Sequence, residues 1–197
     1  CVAGANDAMT PAGAISALEH LENYQIVIGQ LEIPQEVTIA AFKKAKDFGA
    51  ITILNPAPFA LISPDLISVS DWIIPNESEF AGMHPQGLGP TSDENILEIA
   101  ATLKTRFVVT LGEKGAAFTT RDGEIRRVAA PQVKAIDTTG AGDAFVGAFA
   151  VGLAAHLSDE KAIALGCACA SESVTRKGTQ SSYPTPAQAQ EILRSID

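Results

Sequence analysis

Short apolar runs alternate with helical stripes along most of this chain. Tyr24-Gln-Ile-Val-Ile-Gly-Gln-Leu31 contains a brief apolar strand. Pro34 then opens a segment over 35–48 whose Val37, Ile39, Ala40, Ala41, Phe42 and Ala45 form one helical stripe, and Gly49 suits its C-terminal cap. Ala50-Ile-Thr-Ile-Leu54 predicts a second strand. Strand, helix and strand at this spacing make a crossover unit, which requires a parallel sheet with helices on its faces.

The alternation continues. Asp71-Trp-Ile-Ile74 predicts a strand, with a short helix starting at Asn76. Thr91-Ser-Asp-Glu94 has the spacing of a capping box ahead of a helix over 95–104. Arg106-Phe-Val-Val-Thr-Leu111 predicts a strand, and Gly112-Glu-Lys-Gly115 links it to another over 116–119. Asp122-Gly123 is a hairpin turn signal. From Gly140 onward three helices are expected, over 140–155, over 158–175, and after Thr185-Pro186-Ala-Gln188. An earlier helix starts between Asn6 and Pro11, so strands that would precede it are absent from this sequence. With no linker or repeat, residues 1–197 are expected to form one α/β domain.

Composition narrows the function classes. The chain has 197 residues, 46% of them hydrophobic, and a net charge of −9, which argues against a nucleic-acid footprint. No apolar run approaches the roughly 20 residues of a membrane span, and the first residues lack the basic and long apolar regions of a signal peptide. Cys1, Cys167 and Cys169 form no metal-ligand pattern and suit small residues in a reducing cytosol. His20, His84 and His156 share no cluster and are expected to face solvent.

The segment richest in chemistry is Asp137-Thr-Thr-Gly-Ala-Gly-Asp-Ala-Phe145. Gly140, Ala141 and Gly142 let backbone approach a ligand closely, at a helix start whose free N–H groups attract anions. Asp143 stands in the first turn beside that positive patch. The spacing leaves two readings: an anion hole with a carboxylate able to deprotonate an alcohol, or a glycine-rich helix start in which Asp143 complements the dipole. No Lys follows the glycines, so this is not the P-loop pattern. Asn76 and Glu79 read by themselves as a helix cap, Thr110, Gly112 and Gly115 as turn residues, and Glu32 as a strand-end charge.

Taken in order, these segments resemble the ribokinase-like carbohydrate kinases, the family that takes in fructokinases and adenosine kinases. The resemblance rests on 137–145 together with Gln30-Leu31-Glu32, Asn55-Pro-Ala-Pro58, Asn76-Glu-Ser-Glu79, Thr110-Leu-Gly-Glu-Lys-Gly115 and Val174-Thr-Arg-Lys-Gly178. It covers essentially the whole chain and implies a three-layer, doubly wound, mostly parallel α/β fold that lacks the family's N-terminal strands, sugar motif and lid. It further implies transfer of the ATP γ-phosphoryl group to the primary hydroxyl of D-ribose, with another sugar or nucleoside as alternative acceptor and a non-catalytic relative as a third reading.

Under that resemblance Asp143 is the general base and also contacts substrate. Gly140, Ala141 and Gly142 form the phosphoryl hole, and Glu32 accepts a sugar hydroxyl. Asn76, Thr110, Gly112, Gly115 and Gly142 serve ATP, and Glu79 orders water around Mg²⁺. Asp137, Thr139, Ser173, Arg176, Gly178 and Ser182 line a K⁺ loop. Cys167 departs from the polar residue many relatives carry near adenine, which leaves that contact open. The implied partners are a sugar and ATP, with no nucleic acid or membrane, in a cytoplasmic protein whose complete form is a homodimer.

Overall fold

The computed structural model describes residues 4–83 and 91–196. The expectations made for Cys1 and His84 fall outside them. Six strands lie in one sheet in the order β1-β2-β3-β4-β5-β6: Ile26–Gly29, Ile51–Leu54, Trp72–Ile73, Arg106–Thr110, Ala116–Thr119 and Ile125–Val128. Eight α-helices accompany them among the described residues: α1 Pro11–Glu19, α2 Gln35–Asp47, α3 Pro64–Ser68, α4 Glu77–Met83, α5 Asp93–Leu103, α6 Ala141–Ala154, α7 Asp159–Ser173 and α8 Pro186–Ile196. This is the layered α/β class expected from the alternation. No helix among the described residues is long and apolar enough to cross a membrane.

The chain forms two compact units, one running to Val109 and taking back Phe118–Ile125, the other Thr110–Ala117 with Arg126 onward. In the first unit β1, β2, β3 and β4 pair in parallel, with Ile26 opposite Ile51, Ile53 opposite Trp72, and Trp72 opposite Arg106. Their carboxyl ends therefore share one edge. Asn55 stitches that edge together. Its amide donates to Gly29 O at 2.9 Å, and its side-chain Nδ2 donates to Ile74 O at 2.9 Å. At the opposite edge the Asp71 carboxylate accepts the amide and hydroxyl of Thr52, at 2.9 and 3.0 Å, and pairs with Lys46.

The apolar stripe of α2 buries Val37, Phe42 and Ala45, and Gly49, at φ +75°, ends the helix as its sequence anticipates. The N–H of Ala50 closes that end on Ala45 O at 3.0 Å. Phe42, Phe80 and Phe107 are fully buried, each contributing about 2–3 kcal/mol of transfer free energy.

Two boundaries differ from the pattern. The cap of α5 is Ser92, whose Oγ accepts Asn95 N–H at 3.2 Å, rather than Thr91. Asp93 and Glu94 both lie in the first turn, where the dipole favours negative charge. The short helix α3, capped by Ser63 ahead of Pro64, and strand β6 carry too little periodicity to be anticipated.

In the second unit α6 and α7 pack as a close antiparallel pair. Helix α6 buries Phe145, Val146, Phe149 and Leu153, and α7 buries Ile163, Leu165 and Cys167. Small residues set the spacing: a Cβ on Gly152 would lie 2.8 Å from both Cα and Cβ of Ala162. On the same helix, a Cβ on Gly147 would meet nothing within 4 Å. Gly152→Ala is expected to destabilise the protein by about 1–3 kcal/mol through overpacking. Gly147→Ala is expected to stabilise it by roughly 0.5–1 kcal/mol through helix propensity. Urea unfolding midpoints of the two variants check this, and a shift in the same direction for both contradicts the packing assigned to Gly152.

Candidate active site

Gly140 sits at φ +81° as the N-terminal cap of α6. The helix's own hydrogen-bond ladder starts with Ala144 N–H donating to Gly140 O at 2.9 Å. The amides of Ala141, Gly142 and Asp143 precede that ladder. Ala141 N–H, however, donates to Thr138 O at 3.2 Å, so it is aimed into the loop rather than outward. Gly142 and Asp143 are exposed, and Gly142 has open space on its Cβ side. The helix start thus presents a positive end with a carboxylate in its first turn, as the motif predicts.

One carboxylate holds the loop ahead of this helix. Asp137 Oδ1 accepts the hydroxyl and amide of Thr139, at 2.6 and 3.0 Å, and its Oδ2 accepts Gly178 N–H at 3.1 Å. Led by the Thr139 hydroxyl, these donors lower its pKa to about 2. Val174 O accepts both Ile136 N–H and Asp137 N–H, at 2.7 and 3.2 Å. From Val174 the chain turns through Arg176, whose guanidinium donates to Glu172 Oε1 at 2.7 Å and to Ser182 O at 2.9 Å. Ser173 O accepts Arg176 N–H at 3.3 Å, and the fully buried Ser182 donates its hydroxyl to Thr179 O at 2.6 Å.

All six residues expected at a K⁺ loop, Asp137, Thr139, Ser173, Arg176, Gly178 and Ser182, therefore belong to one hydrogen-bonded cluster. An ionised carboxylate among carbonyl and hydroxyl oxygens is a donor set that suits a hard monovalent cation. Tyr183 follows directly. Its hydroxyl would lie 3.0 Å from a Cβ on Gly140, and burial, with the Asp143 charge second, raises its pKa.

Beside this cluster lies a cavity of about 370 Å³. Its lining takes in Thr110, Gly112 and Gly115, Ala141 and Gly142, and apolar side chains that include Val133, Phe145 and Cys167. Gly115, at φ +93°, has Val128 O only 1.9 Å from where a Cβ would stand. Gln132 donates its side-chain amide to Glu113 O at 3.2 Å, bridging two segments of the lining. Burial pushes the Cys167 thiol up to about 12. A mostly apolar cavity whose lining includes a helix N-terminus can take a nucleotide, with the base against the apolar side chains and the phosphates at the amides.

In the first unit, Asn76 and Glu79 form a reciprocal capping box. Asn76 N–H donates to Glu79 Oε2, and Glu79 N–H to Asn76 Oδ1, both at 2.8 Å. Burial raises the Glu79 pKa, and the bond from Asn76 opposes that. Glu79 Oε1 accepts no hydrogen bond among the described residues, which leaves it able to take up water. No cluster of three or more His, Cys, Asp or Glu side chains that could hold a metal occurs among the described residues. Glu32 is exposed three residues beyond the end of β1. His20 and His156 are both exposed.

The motifs were legible in the sequence, whereas the cavity wall was not. Val133, Phe145, Ser171 and Val174 are ordinary core types, and only the spacing of Cys167, Ser171 and Val174 places them along one face of α7.

A family model described as pfkB family carbohydrate kinase matches residues 2–186. The chain belongs to the pfkB family of carbohydrate kinases. A ribokinase of Staphylococcus aureus (strain COL) is 37% identical over 189 residues, which is 92% of this chain and 60% of that protein. A deoxyribokinase of Salmonella typhi is 38% identical over 198 residues, 98% of this chain and 63% of that protein. The solved structure of Arabidopsis thaliana ribokinase complexed with ribose and ATP matches with a TM-score of 0.88 at 30% identity, covering 98% of this chain and 64% of that one. The chain thus spans about three fifths of the length of these relatives.

The Asp137 tie generates a pH-dependent expectation. A carboxylate with a depressed pKa contributes stability that is present above the ordinary range near pH 4 and lost as pH falls through about 2. Asp137→Asn is expected to speed amide exchange across 137–139 and 176–182 at pH 7. Wild type and variant should converge below pH 2, and equal protection at pH 7 contradicts the tie. Gly115→Ala is expected to cost more than about 1 kcal/mol and to weaken nucleotide binding, as read by thermal unfolding with and without ATP.

Proposed function

We propose that residues 1–197 act as part of one kinase domain that transfers the γ-phosphoryl group of ATP to the primary hydroxyl of D-ribose, giving ribose 5-phosphate. The observation that carries this reading is the start of α6. A carboxylate, Asp143, occupies the first helical turn directly after Gly142, and Gly142 borders the apolar cavity. General base and anion hole are the two parts that phosphoryl transfer to an alcohol requires.

In this mechanism Asp143 takes the proton of the attacking hydroxyl. The oxygen forms a bond to the γ-phosphorus while the bond from phosphorus to the bridging oxygen breaks, and ADP leaves. The amide of Gly142 and the positive end of α6 stabilise the negative charge on the phosphoryl oxygens, with Gly140 supplying the turn. Ala141, whose amide serves Thr138, shapes the loop rather than donating to the phosphoryl group. Thr110, Gly112 and Gly115 receive the nucleotide, and Glu32 accepts a hydrogen bond from a sugar hydroxyl.

Magnesium, when bound, neutralises phosphate charge. Asn76 and Glu79 would hold water toward it through the carboxylate oxygen that their capping box leaves open. Asp137, Thr139, Ser173, Arg176, Gly178 and Ser182 would hold a potassium ion, whose charge would stiffen the segment that leads into Gly140. Sugar and ATP are the partners, in the cytoplasm.

A second reading changes the acceptor to 2-deoxyribose, which the 38% identity to a deoxyribokinase favours. Initial rates of the complete protein with ribose and 2-deoxyribose, each with and without K⁺, discriminate between the two. A kcat/KM for ribose at least tenfold above that for 2-deoxyribose supports the first reading, and the reverse ratio overturns it. Asp143→Asn is expected to lower kcat by about 10²–10⁴-fold with ATP binding retained. Near-normal turnover of that variant would sink the assignment of the base. Sugar binding by calorimetry without any ATP turnover would show a non-catalytic relative instead.

A further inference from the structure

The wall of the cavity contributed by α7 contains one polar group that nothing in the protein uses. Ser171 is 9% exposed and lines the cavity, and its hydroxyl makes no hydrogen bond among the described residues, yet it is not among the sealed unpaired polar atoms. This is unusual on α7, where the other serines and threonines are engaged. Ser158 caps the helix by accepting Lys161 N–H, Ser173 donates to Ala170 O, and Thr175 donates to Glu172 O. Such a hydroxyl is left to bond water or a ligand in the cavity. Its open side faces the cavity.

Its surroundings restrict what that partner can be. Cys167 lies one turn earlier on the same face, with its thiol held protonated, and Ala170 and Val174 complete the α7 wall. Phe145 of α6 and Val133 add further apolar surface. Gln132 already commits its side-chain amide to backbone carbonyls. A planar, largely apolar group with polar atoms on one edge meets these conditions. A nucleobase is such a group.

We propose that Ser171 is the residue with which this chain reads the nucleobase, and that a purine carrying either an amino or an oxo group is accepted there. The proposal rests on the reading of this cavity as the nucleotide's. A hydroxyl rotates to donate or to accept, so it can meet an exocyclic amine as acceptor or a carbonyl oxygen as donor with the same atom. No side chain with a fixed polarity stands beside it on this wall to favour one over the other. Ser171 is thus a specificity-determining residue that distinguishes a purine bearing a polar edge group from one without it, while discriminating weakly among purines that have one.

Calorimetric binding to the full chain tests this without relying on turnover. The probes are ATP, GTP and purine riboside triphosphate, which has no exocyclic group, measured on wild type and on Ser171→Ala. Alanine is a good helix former that only removes the oxygen, and far-ultraviolet circular dichroism checks the fold of the variant. Wild type is expected to bind ATP and GTP within about threefold of each other, and purine riboside triphosphate about threefold to tenfold more weakly. In Ser171→Ala all three should bind alike, at the weaker level. A variant that keeps the wild-type ratio of ATP to purine riboside triphosphate overturns the role of the hydroxyl. A hundredfold preference of wild type for ATP over GTP overturns the tolerance. Absence of any nucleotide binding by wild type overturns the reading of the cavity itself, and with it the proposal.

Discussion

The Asp137 carboxylate is the constraint on which the second unit depends. Three donors from two separate loops converge on its two oxygens, and its low pKa keeps it ionised across any ordinary pH. Because Thr139 is held twice, by amide and by hydroxyl, the chain enters Gly140 in a fixed direction. Gly140 can then take up its left-handed conformation and start α6 at Ala141. The direction of α6 places Gly142 at the cavity and Phe145 in its wall. The bond from Gly178 brings the loop after α7 into the same frame, so the ends of both helices are set from one point. A surface ion pair would do this poorly, since it is worth little in water and tolerates many geometries. A carboxylate held by three short-range donors is more restrictive.

The fold was legible where periodicity was long and unambiguous. The stripe of α2 and its terminal Gly49, the strands 51–54 and 106–110, and the three helices after Gly140 all follow from apolar spacing and capping residues. It was less legible where elements are short. Helix α3 has five residues, under two helical turns, and β6 reads Ile-Arg-Arg-Val, with no apolar-polar alternation. At α5 the choice of Ser92 over Thr91 was not decidable from spacing, since both are good caps and either leaves Asp93 and Glu94 in the first turn.

The candidate site divides along similar lines. Polar and glycine-bearing motifs such as 137–143 and 76–79 stand out because their residue types are costly outside special geometry. Chemistry alone left Asn76 and Glu79 as a helix cap, and the reciprocal bonds between them are that cap. The redirected amide of Ala141 depends on the conformation of Thr138, which no residue type reports. The cavity wall could not be read in advance either, since Phe145, Val133 and Val174 differ from core residues only in what they fail to touch.

The Cys167 thiol, described above only as part of the wall, has a consequence for the durability of the cavity. Burial pushes its pKa up to about 12, so the thiol stays protonated at neutral pH. Thiolate is the form that oxidants and electrophiles attack, so the sulfur behaves there as a slightly polarizable methyl group. Cys169 is likewise shifted upward by burial, with Glu172 adding to it. The cavity can therefore carry a cysteine through oxidative conditions without becoming a redox sensor. Its sulfur contributes surface and volume, while its reactivity stays out of reach.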